Sequence, residues 1–521
     1  MKRRNFIKKS ALGAAGITVA VNGIPMKAIA QDLFKFGRSG EDRVLVLIRL
    51  NGGNDGLNTL IPLDQFDNLV IQRPSLHIPQ ANLINLNSNN LALHPSMTGM
   101  ANMFQNGKLG IIQNVGYPQQ NRSHFRSMDI WTSGNIENDA STGWLGRYFQ
   151  ADHQNYPTNY PNEDFPHPFA ISMGYEVSAT CQGLVSNFSI ASNDASQHFN
   201  VGGGVTAVHT GYYGAHIAHI NNMILQSDQY GQALQNAYNA GNSLSSLYDA
   251  NNETAMHLKQ IARLISGGAQ TKVYILNING FDTHDGQIVN GSPTTGAHAN
   301  LLKTLSDAIH AFMDDINLLG LSERVLGMTF SEFGRQIASN ASNGTDHGDA
   351  APLFLFGSCL SAQVIGNNPT ISNTIENQAG VPMQYDFRDV YASILHDWFG
   401  VSESDVQGLF ENQVNLMPIA QACNGNVGID QNSEINTQEL LCYPNPASHL
   451  ATVSFASENE FVSLALFSSS GILIKEIFGG NLNPQKHNFQ IDISDVPNGV
   501  YVLNIRKQSG DLSSKLIVSR Q

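Results

Sequence analysis

Five short clusters in this chain gather carboxylates, imidazoles, hydroxyls and glycines at close spacing. They are Asn51-Gly52-Gly53-Asn54-Asp55-Gly56, Asn121-Arg122-Ser123-His124-Phe125, Gly280-Phe281-Asp282-Thr283-His284-Asp285, Ser331-Glu332-Phe333-Gly334-Arg335 and Gly344-Thr345-Asp346-His347-Gly348. Carboxylate oxygens and imidazole nitrogens are the donors of zinc and manganese sites. A divalent cation, Zn or Mn, is therefore the expected cofactor, with Asp55, Asp282, His284, Glu332, Asp346 and His347 as its expected ligands. The glycines permit sharp turns and close backbone approach. Ser123 stands at the start of a helical stretch, where backbone amides stabilise an anion. Beside a metal, the same hydroxyl is an activated nucleophile. Each cluster also has a plain structural reading: Asp55 in a turn, Ser123 as a helix cap, Asp282 with His284 closing a loop, Glu332 with Arg335 as a local ion pair, Asp346 with His347 as a satisfied loop pair. What favours a site is their shared position in the fold.

That position follows from five apolar runs: Val44 to Leu50, Leu109 to Val115, Val273 to Ile278, Val325 to Phe330 and Leu353 to Phe356. They are nearly continuous rather than alternating, which is how strands of a parallel sheet buried on both faces read. Helical stretches lie between them. The clearest places Leu301, Leu305, Ile309, Phe312 and Ile316 on one face. Alternating strands and helices imply an α/β fold, and in such sheets ligands bind beyond the carboxyl ends of the strands. The clusters follow four of the strands and precede the fifth, so Asp55, Ser123, His124, Asp282, His284, Glu332, Asp346 and His347 are expected along one edge. Residues 214–266 read as helical with interruptions, and residues 150–212 are left unassigned.

The ends have other textures. Arg3 and Arg4, the small-residue apolar run from Ala11 to Val21, and Ala28-Ile29-Ala30 before Gln31 describe a signal peptide over residues 1–30. The paired arginines point to the twin-arginine route. The apolar run is too short to span a bilayer, so no stable membrane span is expected. Residues 31–423 form the main domain, 424–437 a linker without apolar periodicity, and 438–521 a small β-sandwich of alternating strands and turns. The chain holds 28 Lys and Arg against 42 Asp and Glu. The first thirty residues carry six of the basic ones and no acid, so the remainder has 22 against 42, a net charge of −20. Such a chain is a poor ligand for nucleic acid or for an anionic membrane. The four cysteines, Cys181, Cys359, Cys423 and Cys442, lack zinc-ligand spacing and allow three pairings. Cys423 with Cys442 would close the linker.

Two resemblances add to this reading. Tyr443-Pro444-Asn445-Pro446, Asn498-Gly499-Val500-Tyr501 and Lys515 resemble the type A sorting domain of type IX secretion, over about residues 438–521. This implies the twin-arginine and type IX export machineries as partners and a destination at the cell surface or beyond. Residues 43–400 resemble the exported DUF1501 family. The matching segments are Arg49 to Asn58, Leu93-His94-Pro95, Arg122-Ser123-His124-Phe125, Gly143 to Arg147, Phe281 to His284 with Gln287, Ser331 to Arg335 and Gly344 to Gly348. That family is similar to the alkaline phosphatase and sulfatase superfamily. The resemblance implies an alkaline-phosphatase-like parallel or mixed sheet flanked by helices, and a C-terminal Ig-like β-sandwich. It also implies a metal-dependent hydrolase of phosphate or sulfate esters. Ser123 would attack, and Arg122 or Arg335 would grip the anion. Glu332-Phe333 departs from the pattern, standing where the superfamily has Asp-His. The rival expectations are a non-catalytic surface protein that binds a glycan or a partner on a retired hydrolase scaffold, and an assembly factor.

Overall fold

The computed structural model describes residues 20–21, 24–25, 42–421 and 441–520, except 137–140, 198–210, 290, 411–413, 444–446, 458–459, 469–472, 484 and 508–511. The expected linker lies outside the described residues, as does the export signal but for the four residues just given. The chain divides into two compact units, one ending at Val427 and the other starting at Gly428.

The first unit is built on nine strands: β1 (Val44–Asn51), β2 (Leu109–Gly116), β3 (Ala170–Met173), β4 (Ser189–Ser192), β5 (Val273–Asn279), β6 (Val325–Phe330), β7 (Ala351–Gly357), β8 (Val364–Ile365) and β9 (Tyr385–Asp386). Their order across the sheet is β8-β2-β7-β6-β1-β5-β3-β4, with β9 also on β2. The five apolar runs are the five central strands. β1 pairs in parallel with β5 and β6, but β7 runs antiparallel to both β6 and β2. The sheet is therefore mixed. The reversal has a direct consequence for the site: the loop that enters β7 lies at the edge where the other central strands end. The Gly344–Gly348 segment joins the other clusters for this reason.

Side chains alternate across a strand, and here both faces are covered. Val44, Val46, Ile48 and Leu50 of β1 pack into one core with Leu258, Ile261, Leu302, Leu305, Ile309 and Phe312. Leu45 and Leu47 pack into the other with Trp131, Trp144 and Tyr391. The first core is closed by α1 (Thr98–Gln105), α5 (Glu253–Ser266) and α6 (Ala297–Leu318), while α4 (Gly211–Ala240) packs against α5. The second is closed by α2 (His124–Ser133), α3 (Trp144–Asp152) and α7 (Phe387–Ser393). Helix α6 carries the expected face, with Leu305, Ile309, Phe312 and Ile316 fully buried. Residues 150–212 supply β3 and β4, which extend the sheet in parallel beyond β5.

The second unit is a sandwich of seven antiparallel strands: β10 (Leu441–Tyr443), β11 (Leu450–Ser457), β12 (Glu460–Ser468), β13 (Leu473–Leu482), β14 (Gln485–Asp492), β15 (Gly499–Lys507) and β16 (Leu512–Val518). One sheet has the order β10-β11-β14 and the other β13-β12-β15-β16. Val453, Phe455, Leu464, Leu466, Leu503 and Leu516 fill the space between them. Among the described residues no helix is long and apolar enough to cross a membrane. Cys181 is a free buried thiol and Cys359 is disulfide-bonded. With Cys181 free, the bond at Cys359 takes one of the two remaining cysteines, which excludes the expected Cys423–Cys442 pair.

Candidate functional site

At the carboxyl edge of the sheet the loops after β1, β2, β5 and β6 meet the loop that enters β7. Gly52 shows how tightly they pack. Its φ of +125° suits glycine, and a Cβ there would lie 2.3 Å from the Asp282 backbone nitrogen. Arg335 staples the loops together. Its guanidinium, 1 % exposed, donates to the carbonyls of Gly53 (2.7 Å), Thr345 (2.8 Å), Phe281 (3.1 Å) and Gly52, and to Asp282 Oδ1 at 2.7 Å.

Asp282 is the centre of the cluster. Its Oδ1 lies 3.2 Å from His284 Nε2 and 3.2 Å from His347 Nε2, and its Oδ2 lies 3.4 Å from His124 Nε2. His124, Asp282 and His347 each offer one donor atom, all within 4.8 Å of one another. His284 closes a second side, its Nε2 2.8 Å from His347 Nε2. Burial pushes the Asp282 carboxyl up, but hydrogen bonding and charge from Arg335, then His347 and His284, outweigh it and hold it below the usual carboxylate range. Burial, with Arg335 nearby, lowers the His347 imidazole below its ordinary value.

Each imidazole is pinned from behind. His347 Nδ1 donates to the Arg122 carbonyl at 2.8 Å. That oxygen can only accept, so in neutral His347 the Nε2 is a lone pair. His284 Nδ1 meets Asp346 Oδ1 at 2.7 Å and His124 Nδ1 meets Glu332 Oε1 at 2.9 Å, which places their protons on Nδ1 as well. All three Nε2 atoms thus aim at Asp282. Two imidazole lone pairs facing each other at 2.8 Å repel unless a cation, either a proton or a metal ion, lies between them. Imidazole nitrogens facing inward and second nitrogens held by carboxylates or a carbonyl are the arrangement of metal ligands with their orienting partners. The donor set of imidazole nitrogen and carboxylate oxygen fits a zinc- or manganese-class ion.

The expected residues therefore take three positions. Asp282, His284 and His347 are at the centre, joined by His124, which the sequence places at this edge without a role. Glu332, fully buried, and Asp346 stand one layer back, orienting His124 and His284. Asp55 lies outside the group: fully buried, it takes two hydrogen bonds from Arg73 Nη1 (2.7 and 2.8 Å) and one from Gln287 Nε2 (2.6 Å). Burial raises the Asp55 carboxyl, yet Arg73, with His298 and Gln287, brings it below its ordinary value. No sequence signal marks Arg73. Phe333, at the position that departs from the superfamily pattern, lies against His124 (4.9 Å between ring centres) and His347 (4.6 Å), forming an aromatic floor for both.

Ser123 is the N-cap residue of α2, yet its hydroxyl makes no capping bond and the residue is exposed. Arg122 pairs with Asp349 through Nε–Oδ1 and Nη2–Oδ2 bonds of 2.9 Å each. Both arginines expected to grip an anion are thus engaged elsewhere, Arg335 with four carbonyls and Asp282, Arg122 with Asp349.

Fold and cluster together define an α/β domain with a histidine–aspartate centre at its sheet edge, on a chain that also carries a β-sandwich. Residues 221–410 match the family described as "Protein of unknown function (DUF1501)", and residues 441–519 match the "Secretion system C-terminal sorting domain". The protein is therefore exported by the type IX route, to the cell surface or beyond. No curated protein sequence matches this chain. Solved structures that match this chain include a protein in the alkaline phosphatase superfamily from Vibrio parahaemolyticus, with 9% identity, TM-score 0.30, and 88% of this chain and 85% of that one covered. A Bacteroides thetaiotaomicron protein from a locus for metabolism of multiple glycosaminoglycans has 9% identity, TM-score 0.33, and coverage of 87% and 90%. A sulfatase from Pseudoalteromonas sp. has 10% identity, TM-score 0.32, and coverage of 90% and 87%.

Proposed function

We propose that this exported protein is a metal-dependent hydrolase of phosphate or sulfate esters. One observation carries the reading: the Nε2 atoms of His124, His284 and His347 converge on Asp282 while every Nδ1 is held from behind. His124, His347 and Asp282 would hold a zinc- or manganese-class ion, with His284 as a further ligand. Such an ion, when bound, supplies a Lewis acid that polarises an ester oxygen. The remaining chemistry belongs to the chain. The Ser123 hydroxyl, uncommitted beside His124, forms a bond to phosphorus or sulfur as the ester bond breaks. The departing alcohol takes up the proton that the hydroxyl gives up, and water then cleaves the serine ester. The positive end of the α2 dipole favours the anion. Arg335 keeps Asp282 ionised and in place.

The test is metal analysis of the purified mature chain, with turnover of p-nitrophenyl phosphate and p-nitrocatechol sulfate by wild type and Ser123→Ala. Bound divalent metal and Ser123-dependent turnover are expected. Absence of both removes the hydrolase. A second reading, a metal-stabilised surface protein that binds without catalysis, is favoured by the engagement of Arg122 and Arg335. Bound metal with no ester turnover would select it.

A further inference from the structure

Beside the metal cluster lies an open cleft of about 460 Å³, whose walls include Pro118, Gln119, Arg122, Asp349, Pro382 and Met383. We propose that this cleft binds a neutral sugar ring. That this ring is the alcohol portion of the substrate ester rests on the hydrolase reading; the binding itself does not.

The cleft and the metal cluster share their framework. Arg122 stands two residues before His124, and its carbonyl accepts from His347. Asp349 stands two residues after His347. The bidentate Arg122–Asp349 pair therefore ties together the two segments that carry these ligands, and it shows its other side to the cleft, with the two side chains 31% and 30% exposed. Gln120 also borders the cleft, and its Nε2 donates at 3.0 Å to the carbonyl of Glu332, the residue that orients His124.

The lining chemistry selects the ligand class. Arg122 and Asp349 neutralise each other, so an anion gains little from entering. Their unspent lone pairs and N–H groups, with the exposed Gln119 amide, offer adjacent acceptors and donors, which vicinal hydroxyls match. Pro118, Pro382 and Met383 offer an apolar surface for the C–H face of a ring. The volume lies in the roughly 300–1,000 Å³ range of small-molecule sites.

Backbone geometry marks the same place. Gln119 (φ 56°) and Gln378 (φ 62°) are left-handed without being glycine. Gln378 uses this conformation to present its carbonyl to Arg122 Nη1 at 2.9 Å. Such conformations persist where the surroundings hold them and cluster at functional sites. Gly380 is equally constrained, since a Cβ there would lie 2.1 Å from Asp349 Oδ2.

Saturation-transfer NMR on the mature full-length chain tests this, with methyl β-glucoside, methyl β-galactoside and N-acetylglucosamine as probes and alanyl-alanine as the peptide control. Transfer from at least one sugar is expected, with and without chelator. Met383→Trp, which fills the cleft, should weaken affinity about ten-fold or more, with its denaturation midpoint confirming the fold. No transfer from any sugar overturns the proposal, as does transfer unchanged in a folded Met383→Trp chain, or transfer from the dipeptide alone. Turnover of the aryl esters without sugar binding would leave the hydrolase standing and remove this cleft. Sugar binding without turnover of any ester would do the reverse.

Discussion

Glu332 Oε1 accepts both from His124 Nδ1 at 2.9 Å and from the Gly52 amide at 2.8 Å, so one fully buried carboxylate fixes an imidazole and the loop after β1 together. Groups that hold a ligand from behind typically contribute 10- to 100-fold in metal affinity. Glu332→Ala should therefore weaken metal binding by about that factor, although His124, Asp282, His284 and His347 all keep their donor atoms. Chelator competition measures it. An affinity equal to wild type would mean that His124 needs no such support, or that it is not a ligand.

The Asp55–Arg73 pair makes the opposite forecast. Both side chains are fully buried, and the hydrogen-bond partners of the carboxylate include none of His124, Asp282, His284 and His347. Breaking a buried pair leaves an uncompensated charge and costs about 3–5 kcal/mol. Arg73→Met should lower urea stability by about that amount. Asp55→Asn, if it folds, should bind as much metal as wild type. A loss of metal in a folded Asp55→Asn chain would restore Asp55 as a ligand.

Much of this was legible in the sequence, for identifiable reasons. The five central strands announce themselves because burial on both faces demands unbroken apolar runs, as in Val44 to Leu50. The converging of Asp282 and His284 with His124 follows from strand ends sharing an edge, whereas His347 joins them because β7 runs antiparallel. Strand direction was not legible: the run Leu353 to Phe356 reads the same either way, and only its partners make β7 antiparallel. Arg73 sits between Leu69-Val70-Ile71-Gln72 and Pro74 with no chemical motif around it, and only the fold brings it to Asp55. Nor does spacing separate a ligand from the group behind it. Glu332 and Asp346 have the chemistry of ligands, but His124 and His284 stand in front of them. The short outer strands β3 and β4, four residues each, carry too little pattern to stand out from the turns around them.

Stability should fall on mild acidification, through two buried histidines outside the His124–Asp282–His284–His347 cluster. Burial, above all, pulls the imidazoles of His298 and His94 down, to about 3 and about 4. In the unfolded chain both titrate near 6.5. Between these values the unfolded chain takes up protons that the folded chain refuses. Their stabilising contribution is complete above about pH 6.5 and is lost as the pH falls toward the folded values. Each unit of difference is worth about 1.4 kcal/mol, so the loss amounts to several kcal/mol. Urea midpoints of the metal-free chain should drop between about pH 7 and about pH 5, and His298→Gln should flatten that slope. A slope unchanged by the substitution would assign the acid sensitivity to other groups.

Ser123 offers the sharpest separation of chemistry from architecture. A serine that caps a helix through its side chain contributes about 1 kcal/mol to stability, and Ser123, at the cap position of α2, makes no such bond. Ser123→Ala should therefore change the unfolding free energy by no more than about 0.5 kcal/mol and leave metal content intact, while ester turnover disappears. Paired denaturation and kinetic measurements on one preparation decide the matter. A stability loss near 1 kcal/mol with turnover retained would make the hydroxyl a cap after all and take the nucleophile away from the proposed hydrolase.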